Sequence, residues 1–355
     1  MRTLAIVVGL MTVFALVACS DSTTSSSAVI TIVAPTATPA QASQADPTSE
    51  APQDTAIATP APDTPVATLM PVPAMREYVE VENWSSANAP GIIWAGPNGV
   101  VIDSDDNIYT TEFQGNRIRK FSPDGELLLE WGGSGIENGQ FDAPTGIAIG
   151  PDGNVYVSES GGHRVQKFTA DGEWLMTMGS LGVGEGQFES AMVLTISDEG
   201  LIYGTDWGRG RITVFTLEGE AAGIITGWGQ TPGLLSNPTG IKIGPDGNLW
   251  VVDRGNNRIQ RFTTEGEFLS VFGELGDAPG QFRTPTSINF DQDGNFFVSE
   301  FRGHRLQAFT PDGQLIGELA PGTFQGPHGL AFDSTGALYA TDTQHHAIRK
   351  FVPAE

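Results

Sequence analysis

The chain has 355 residues, of which 42 are Asp or Glu and only 18 are Lys or Arg, giving a formal net charge of −24. So acidic a surface repels a phosphate backbone, whose binding rests on neutralisation by basic side chains, and this argues against nucleic acid as a partner. One Cys, at position 19, allows no internal disulfide, so stability must come from a large core.

In chain order, the first element is a leader. Arg2 supplies a positive start, and the apolar run from Leu4 to Val17 is too short to span a bilayer comfortably. The sequence Leu16-Val17-Ala18-Cys19 that follows resembles the lipobox of bacterial lipoproteins, which implies a cleaved signal peptide over 1–18 and acylation of Cys19. Residues 19–75 are dominated by Ser, Thr, Ala and Pro and contain no Lys or Arg. Such composition cannot offset the entropy of ordering, so it predicts a flexible tether between a membrane anchor and a folded unit at 76–355. The expected location is the cell envelope, outside the cytoplasm, with the membrane touched only through Cys19.

From residue 96 the chain repeats. One aromatic column runs Tyr109, Tyr156, Tyr203, Trp250, Phe297 and Tyr339, and a second runs Phe121, Phe168, Phe215, Phe262, Phe309 and Phe351. The spacing is 47 residues through the fifth unit and 42 at the sixth. Each unit holds four short runs rich in β-branched and aromatic residues, separated by turn sequences such as Pro151-Asp152-Gly153-Asn154. Four antiparallel strands repeated six times predict an all-β, six-bladed propeller; a linear solenoid would need capping ends. The last unit stops after three strands, and the run Glu77 to Trp84 is spare, so it is expected to complete the sixth blade and close the ring.

Units of the form Pro-x-Gly-Ile-Ala-Ile, Pro-Asp-Gly-Asn-Val-Tyr-Val, an acid, then Gly-x-His-Arg-Val-Gln-x-Phe resemble the NHL repeat, with Glu159 and His163-Arg164-Val165 or Glu300 and His304-Arg305-Leu306 carrying its core. The resemblance spans residues 96–352 and implies the propeller fold. Function does not follow, because one propeller frame carries binding modules, sensors and an amidating lyase alike. The pattern breaks at Ala191-Met192-Val193, at Ser287 and at Ala347.

An acid column (Glu112, Glu159, Asp206, Asp253, Glu300, Asp342) is followed five residues later by Arg in the first five units. Six carboxylates could hold a cation, but that spacing favours ion pairs that fix the blades. The slot held by His163, His304 and His346 is also filled by Asn116 and Asn257, which points to turn hydrogen bonding rather than metal ligation. Starts of the first strands (Asn98, Thr145, Met192, Thr239, Thr286, His328) should ring the channel mouth. The residues after the acids (Phe113, Ser160, Trp207, Arg254, Phe301, Thr343) vary from unit to unit, as a binding site grafted on a frame would. Phe113, Trp207, Arg254, Phe301 and His328, with Asn98, Thr145, Thr239 and Thr286, are therefore the candidate ligand residues. The expected function is a binding module for a protein, peptide or glycan, with no cofactor and no metal. The alternative is a propeller lyase or hydrolase. The segment from Asp253 to Gln260 resembles peptidyl-α-hydroxyglycine α-amidating lyase, which implies a zinc held by His at inner-strand starts. Only His328 fits that role here.

Overall fold

The computed structural model describes residues 29–30, 77–85 and 94–354. The leader over 1–18, Cys19 and the tether over 19–75 lie outside the described residues, apart from Val29–Ile30, which pair with Val79 and Tyr78.

Six sheets form six blades, five of them with four strands from one repeat and the sixth with three. Blade 1 spans 97–132, blade 2 144–178, blade 3 191–225, blade 4 241–272 and blade 5 285–319. Blade 6 takes its three inner strands from 327–353 and its outer strand from Tyr78–Ser85, which runs antiparallel to Ala347–Pro353 with Tyr78 opposite Pro353. The expected closure by the N-terminal run is thus the observed one. The two aromatic columns are buried between blades, Tyr109, Phe121, Tyr156 and Phe168 all at 1% exposure or less. Large apolar side chains at one fixed position per repeat give each blade the same wedge to pack on, which is why the ring closes without disulfides.

Near the axis the blades are joined by hydroxyls. Thr111 donates from Oγ1 to the carbonyl of Thr145 (2.8 Å), Thr205 to that of Thr239 (2.6 Å), Ser299 to that of His328 (2.6 Å) and Thr341, across the closure, to that of Asn98 (2.7 Å); Ser158 does the same to Met192. Each of these oxygens also accepts a backbone N–H in its own blade, for example Gly99 on Thr111 at 2.8 Å and Gly329 on Thr341 at 2.7 Å. The first-to-second strand register slips at that point in five blades. Blade 4 has Val252 in the hydroxyl column; there the regular first strand begins only at Ile241, and the backbone of Val252 alone meets two residues, with the Thr239 N–H on Val252 O (3.0 Å) and the Val252 N–H on Gly240 O (2.8 Å). Removal of one rung should be costly: Thr341→Val leaves the Asn98 carbonyl and the Gly329 N–H without this partner, for an expected loss of about 1–3 kcal/mol in urea unfolding.

The acid column staples each blade to the loop that precedes it. Glu159 accepts from Arg164 Nε (2.7 Å), Gln166 Nε2 (2.7 Å) and the Asp142 N–H (2.8 Å), and Asp253 accepts likewise from Arg258 (2.7 Å), Gln260 (2.9 Å) and the Ser236 N–H (2.6 Å). In blade 6, where Ala347 replaces Arg, Asp342 takes His345 Nδ1 (2.8 Å) and the Gln325 N–H (2.9 Å) instead. The carboxylates are therefore spent on the frame, as the Arg spacing predicted. The His/Asn slot is a left-handed turn position: Asn116, His163, Asn257, His304 and His346 have φ between 50° and 54°. From it His163 Nδ1 meets Glu189 O (2.6 Å) and Asn257 Oδ1 accepts the Thr284 N–H (2.9 Å), which ties one blade to the next.

Stability should peak on the acid side of neutrality. Burial, opposed by their arginines, raises the carboxyls of Glu112 and Glu300, so the native state takes up their protons first and gains stability as pH falls toward 4.5. Burial also pushes Asp152 and Asp246 up, but hydrogen bonds from Lys167, Asn154 and Tyr156 to the one, and from Asn248, Trp250 and Arg261 to the other, win and hold both at about 2. Their contribution is present above 3.8 and is lost as pH falls to about 2. Melting temperatures measured against pH should therefore be highest near pH 4–5 and drop steeply below, and Asp152→Asn should flatten the drop.

Candidate functional site

Within each blade the first strand starts, and the second ends, on the same face, so the two predicted residue sets do share a mouth. The structure brings four of the candidates together there. Arg254, on the short turn after the second strand of blade 4, lies between the rings of Trp207 on blade 3 and Phe301 on blade 5, its guanidinium carbon 4.8 Å and 5.7 Å from their centroids. The aromatics were expected to offer their faces to a ligand; they stack on Arg254 instead and hold it in place. Phe113 is exposed on blade 1, and Ser160 is tied to Ala143 O (3.2 Å), so neither joins this group.

Arg254 differs from the arginines of the blade frame. Among the described residues it has no ion-pair partner, and no hydrogen bond of its guanidinium is present. By contrast the nearby Arg209 pairs with Glu189 at 2.8 Å. Burial, reinforced by the charge of Arg302 on the neighbouring loop, pulls Arg254 down to about 10, which leaves it cationic. Five N–H donors in a half-dry mouth without an acceptor constitute an unmet demand for a carboxylate, carbonyl or oxyanion.

His328 stands at the start of the first strand of blade 6, is 6% exposed and lines the axial channel. Its ring nitrogens have no hydrogen-bond partner among the described residues. Burial, and then the charge of Arg254, lower its imidazole to about 3, so the ring is neutral and carries a free lone pair.

The remaining inner-strand starts divide in two. Thr145 donates to Met192 O (2.9 Å) and Thr286 to Pro327 O (2.9 Å), so both serve the frame. Thr239 Oγ1 and Asn98 Oδ1 are buried with no partner. The cause at Thr239 is local: Thr286 finds Ser299 Oγ at 2.9 Å, whereas Thr239 faces Val252, which has no hydroxyl to share. The unpaired polar groups of the inner ring thus lie on the same face as Arg254 and His328. Arg302 was not foreseen, although its place directly after Phe301 marks it as a loop residue of the same mouth.

The zinc centre implied by the amidating-lyase resemblance does not fit these residues. Among the described residues no three His, Cys, Asp or Glu side chains form a metal-holding group, and the neighbours of His328 in the inner ring are Thr286, committed to the Pro327 carbonyl, and the amide of Asn98.

Compared with known proteins, residues 93–351 match the Virginiamycin B lyase family. Solved structures share the fold. A catalytically inactive histidine-to-alanine variant of virginiamycin B lyase from Staphylococcus aureus, with quinupristin, is 24% identical over 72% of this chain and 80% of that one, with a TM-score of 0.54. A streptogramin B lyase is 21% identical over 76% and 96% (TM-score 0.55), and a gluconolactonase from Xanthomonas campestris is 16% identical over 79% and 90% (TM-score 0.58). No curated protein matches the sequence.

Proposed function

The chain belongs to the Virginiamycin B lyase family, and from that premise we propose that it is an enzyme, acting on an ester- or lactone-bearing molecule at the channel mouth. The lyases and the lactonase that share its fold favour this reading over a module that only binds. The observation that carries it is the pairing of an unpartnered guanidinium, Arg254, with an unpartnered neutral imidazole, His328, close enough for one charge to depress the other.

Each group has a part in opening such a bond. Arg254 stabilises the negative charge that develops on the carbonyl oxygen, its own partial burial strengthening that interaction. His328 accepts a proton, either from a carbon beside a carbonyl on the alcohol side, so that a C=C bond forms as the neighbouring C–O bond breaks and the carboxylate leaves, or from a water that adds to the ester carbonyl as the alcohol leaves. At about 3 its basicity is low in the empty site. A substrate oxygen that neutralises Arg254 removes one cause of that depression, so binding itself readies the base.

The lipobox-like Leu16-Val17-Ala18-Cys19 supports a substrate met outside the cytoplasm. Ser85 pairs with Ala347 at the mouth end of blade 6 and Tyr78 with Pro353 at the other, so the chain enters the propeller on the face away from the mouth.

The test is a panel of lactones, depsipeptides and simple esters offered to the purified protein, with His328→Ala and Arg254→Met alongside. Turnover present in the native protein and lost in both variants is expected. Absence of turnover, together with measurable binding of an unaltered peptide or glycan that both variants lose, would return the mouth to a binding role.

A further inference from the structure

The chain has four lysines. Three occupy one column on the third strands, each over a tyrosine: Lys120 over Tyr109 (4.8 Å), Lys167 over Tyr156 (5.3 Å) and Lys350 over Tyr339 (5.2 Å), with Asp152 2.8 Å from Lys167 and Asp103 3.7 Å from Lys120. Lys242 is different. It lies on the first strand of blade 4, where the other blades have Val101, Ala148, Thr195, Asn289 and Ala331, and it lines the axial channel. Among the described residues it has no ion pair and no hydrogen bond, and burial alone pulls its ammonium below the ordinary value.

Lys242 also lines a second cavity, of about 850 Å³, between blades 3 and 4 toward the face opposite the mouth. The sequence explains why a space opens here. Outer strands of blades 1, 2 and 4 begin Leu127-Leu128, Trp174-Leu175 and Phe268-Leu269, whereas blade 3 has Ala221-Ala222-Gly223, and a side chain at Gly223 would meet nothing within 4 Å. The walls mix apolar side chains, Leu201, Tyr203, Val214 and Ile243 among them, with polar ones such as Thr195 and Ser197, and Asp198, Glu199 and Glu265 are exposed at its edge.

We propose that this cavity is a second ligand site, distinct from the mouth, in which Lys242 condenses with neutral, apolar aldehydes or ketones. A lysine amine drawn out of water beside side chains such as Leu201 and Ile243, with no ion-pair partner, gives up its proton more readily than one in solvent, and such amines act as nucleophiles toward carbonyl carbon. The nitrogen adds to the carbonyl carbon, the oxygen takes a proton to give a carbinolamine, and loss of water leaves an imine. The carboxylates at the edge repel anions, which selects uncharged carbonyl compounds over keto acids and phosphorylated aldehydes.

The experiment is reductive alkylation of the intact protein at pH 7 with benzaldehyde and cyanoborohydride, followed by peptide mapping of the four lysines. Lys242 is expected to carry the adduct at least about tenfold faster than Lys120, Lys167 and Lys350, because burial leaves more of its amine unprotonated. Glyoxylate, an anionic aldehyde, should lose that preference. Ala222→Trp, which fills the cavity entrance, should slow Lys242 alone, and benzamide added to the native protein should protect it without any substitution. Comparable rates at all four lysines, a slow Lys242, or a fast Lys242 indifferent to both Ala222→Trp and benzamide would overturn the proposal. None of these readouts depends on chemistry at the mouth.

Discussion

Arg254→Met should reduce turnover by roughly 100- to 1000-fold, the usual consequence of removing a donor aimed at developing charge, while the protein melts no lower than the native one. The second half of that expectation separates the residue from the frame. A guanidinium without a carboxylate, set between Trp207 and Phe301 and repelled by Arg302, is a charge partly taken from water with only two ring faces in return. Methionine keeps the apolar stem between the two rings and removes the charge, so stability should stay level or rise by about 1 kcal/mol. His328 should also respond. With the Arg254 charge gone, only burial depresses its imidazole, and its titration, followed by NMR, should move up from about 3. An active Arg254→Met, or one that melts far below the native protein, would make Arg254 part of the scaffold and remove it from the chemistry.

Much of this molecule could be read before any coordinates, and for a physical reason. A propeller places the same demand on every repeat, so the two aromatic columns state one structural constraint six times, and the acid with its Arg five residues on and the Asn/His turn each state one five times. The spare run at 77–84 was legible because a blade without an outer strand cannot be left open. The mouth was legible only in part. Variation in the loop column pointed to Trp207, Arg254 and Phe301, but period alone cannot tell which variable residues converge, so Phe113 was grouped with residues it does not touch. Thr145, Thr239 and Thr286 are the same residue at the same position, and what separates them is a neighbour, Val252 in place of Ser158 or Ser299, whose effect appears only when the strands are paired. Lys242 carried a signal that was available, a charge in a column of small and apolar residues; the strand's place in the repeat drew attention to its start and away from its middle.

Glu159→Ala should have the opposite signature to Arg254→Met. Glu159 is fully buried in blade 2, on a blade that does not supply Arg254, His328, Trp207 or Phe301, and its two oxygens take the Arg164 and Gln166 side chains and the Asp142 N–H. Deleting the carboxylate leaves a guanidinium, an amide and a backbone N–H of the blade 1 to blade 2 loop without this acceptor, and removing one member of a buried charged network costs about 3–5 kcal/mol. In a domain of this size that is a fall in melting temperature of about 10 °C or more. Below that temperature the mouth should be intact and turnover close to native. Glu159→Gln, which keeps the shape and one acceptor oxygen but not the charge, should fall between the two. If Glu159→Ala lost activity while keeping its melting temperature, the acid column would belong to the chemistry and not to the frame.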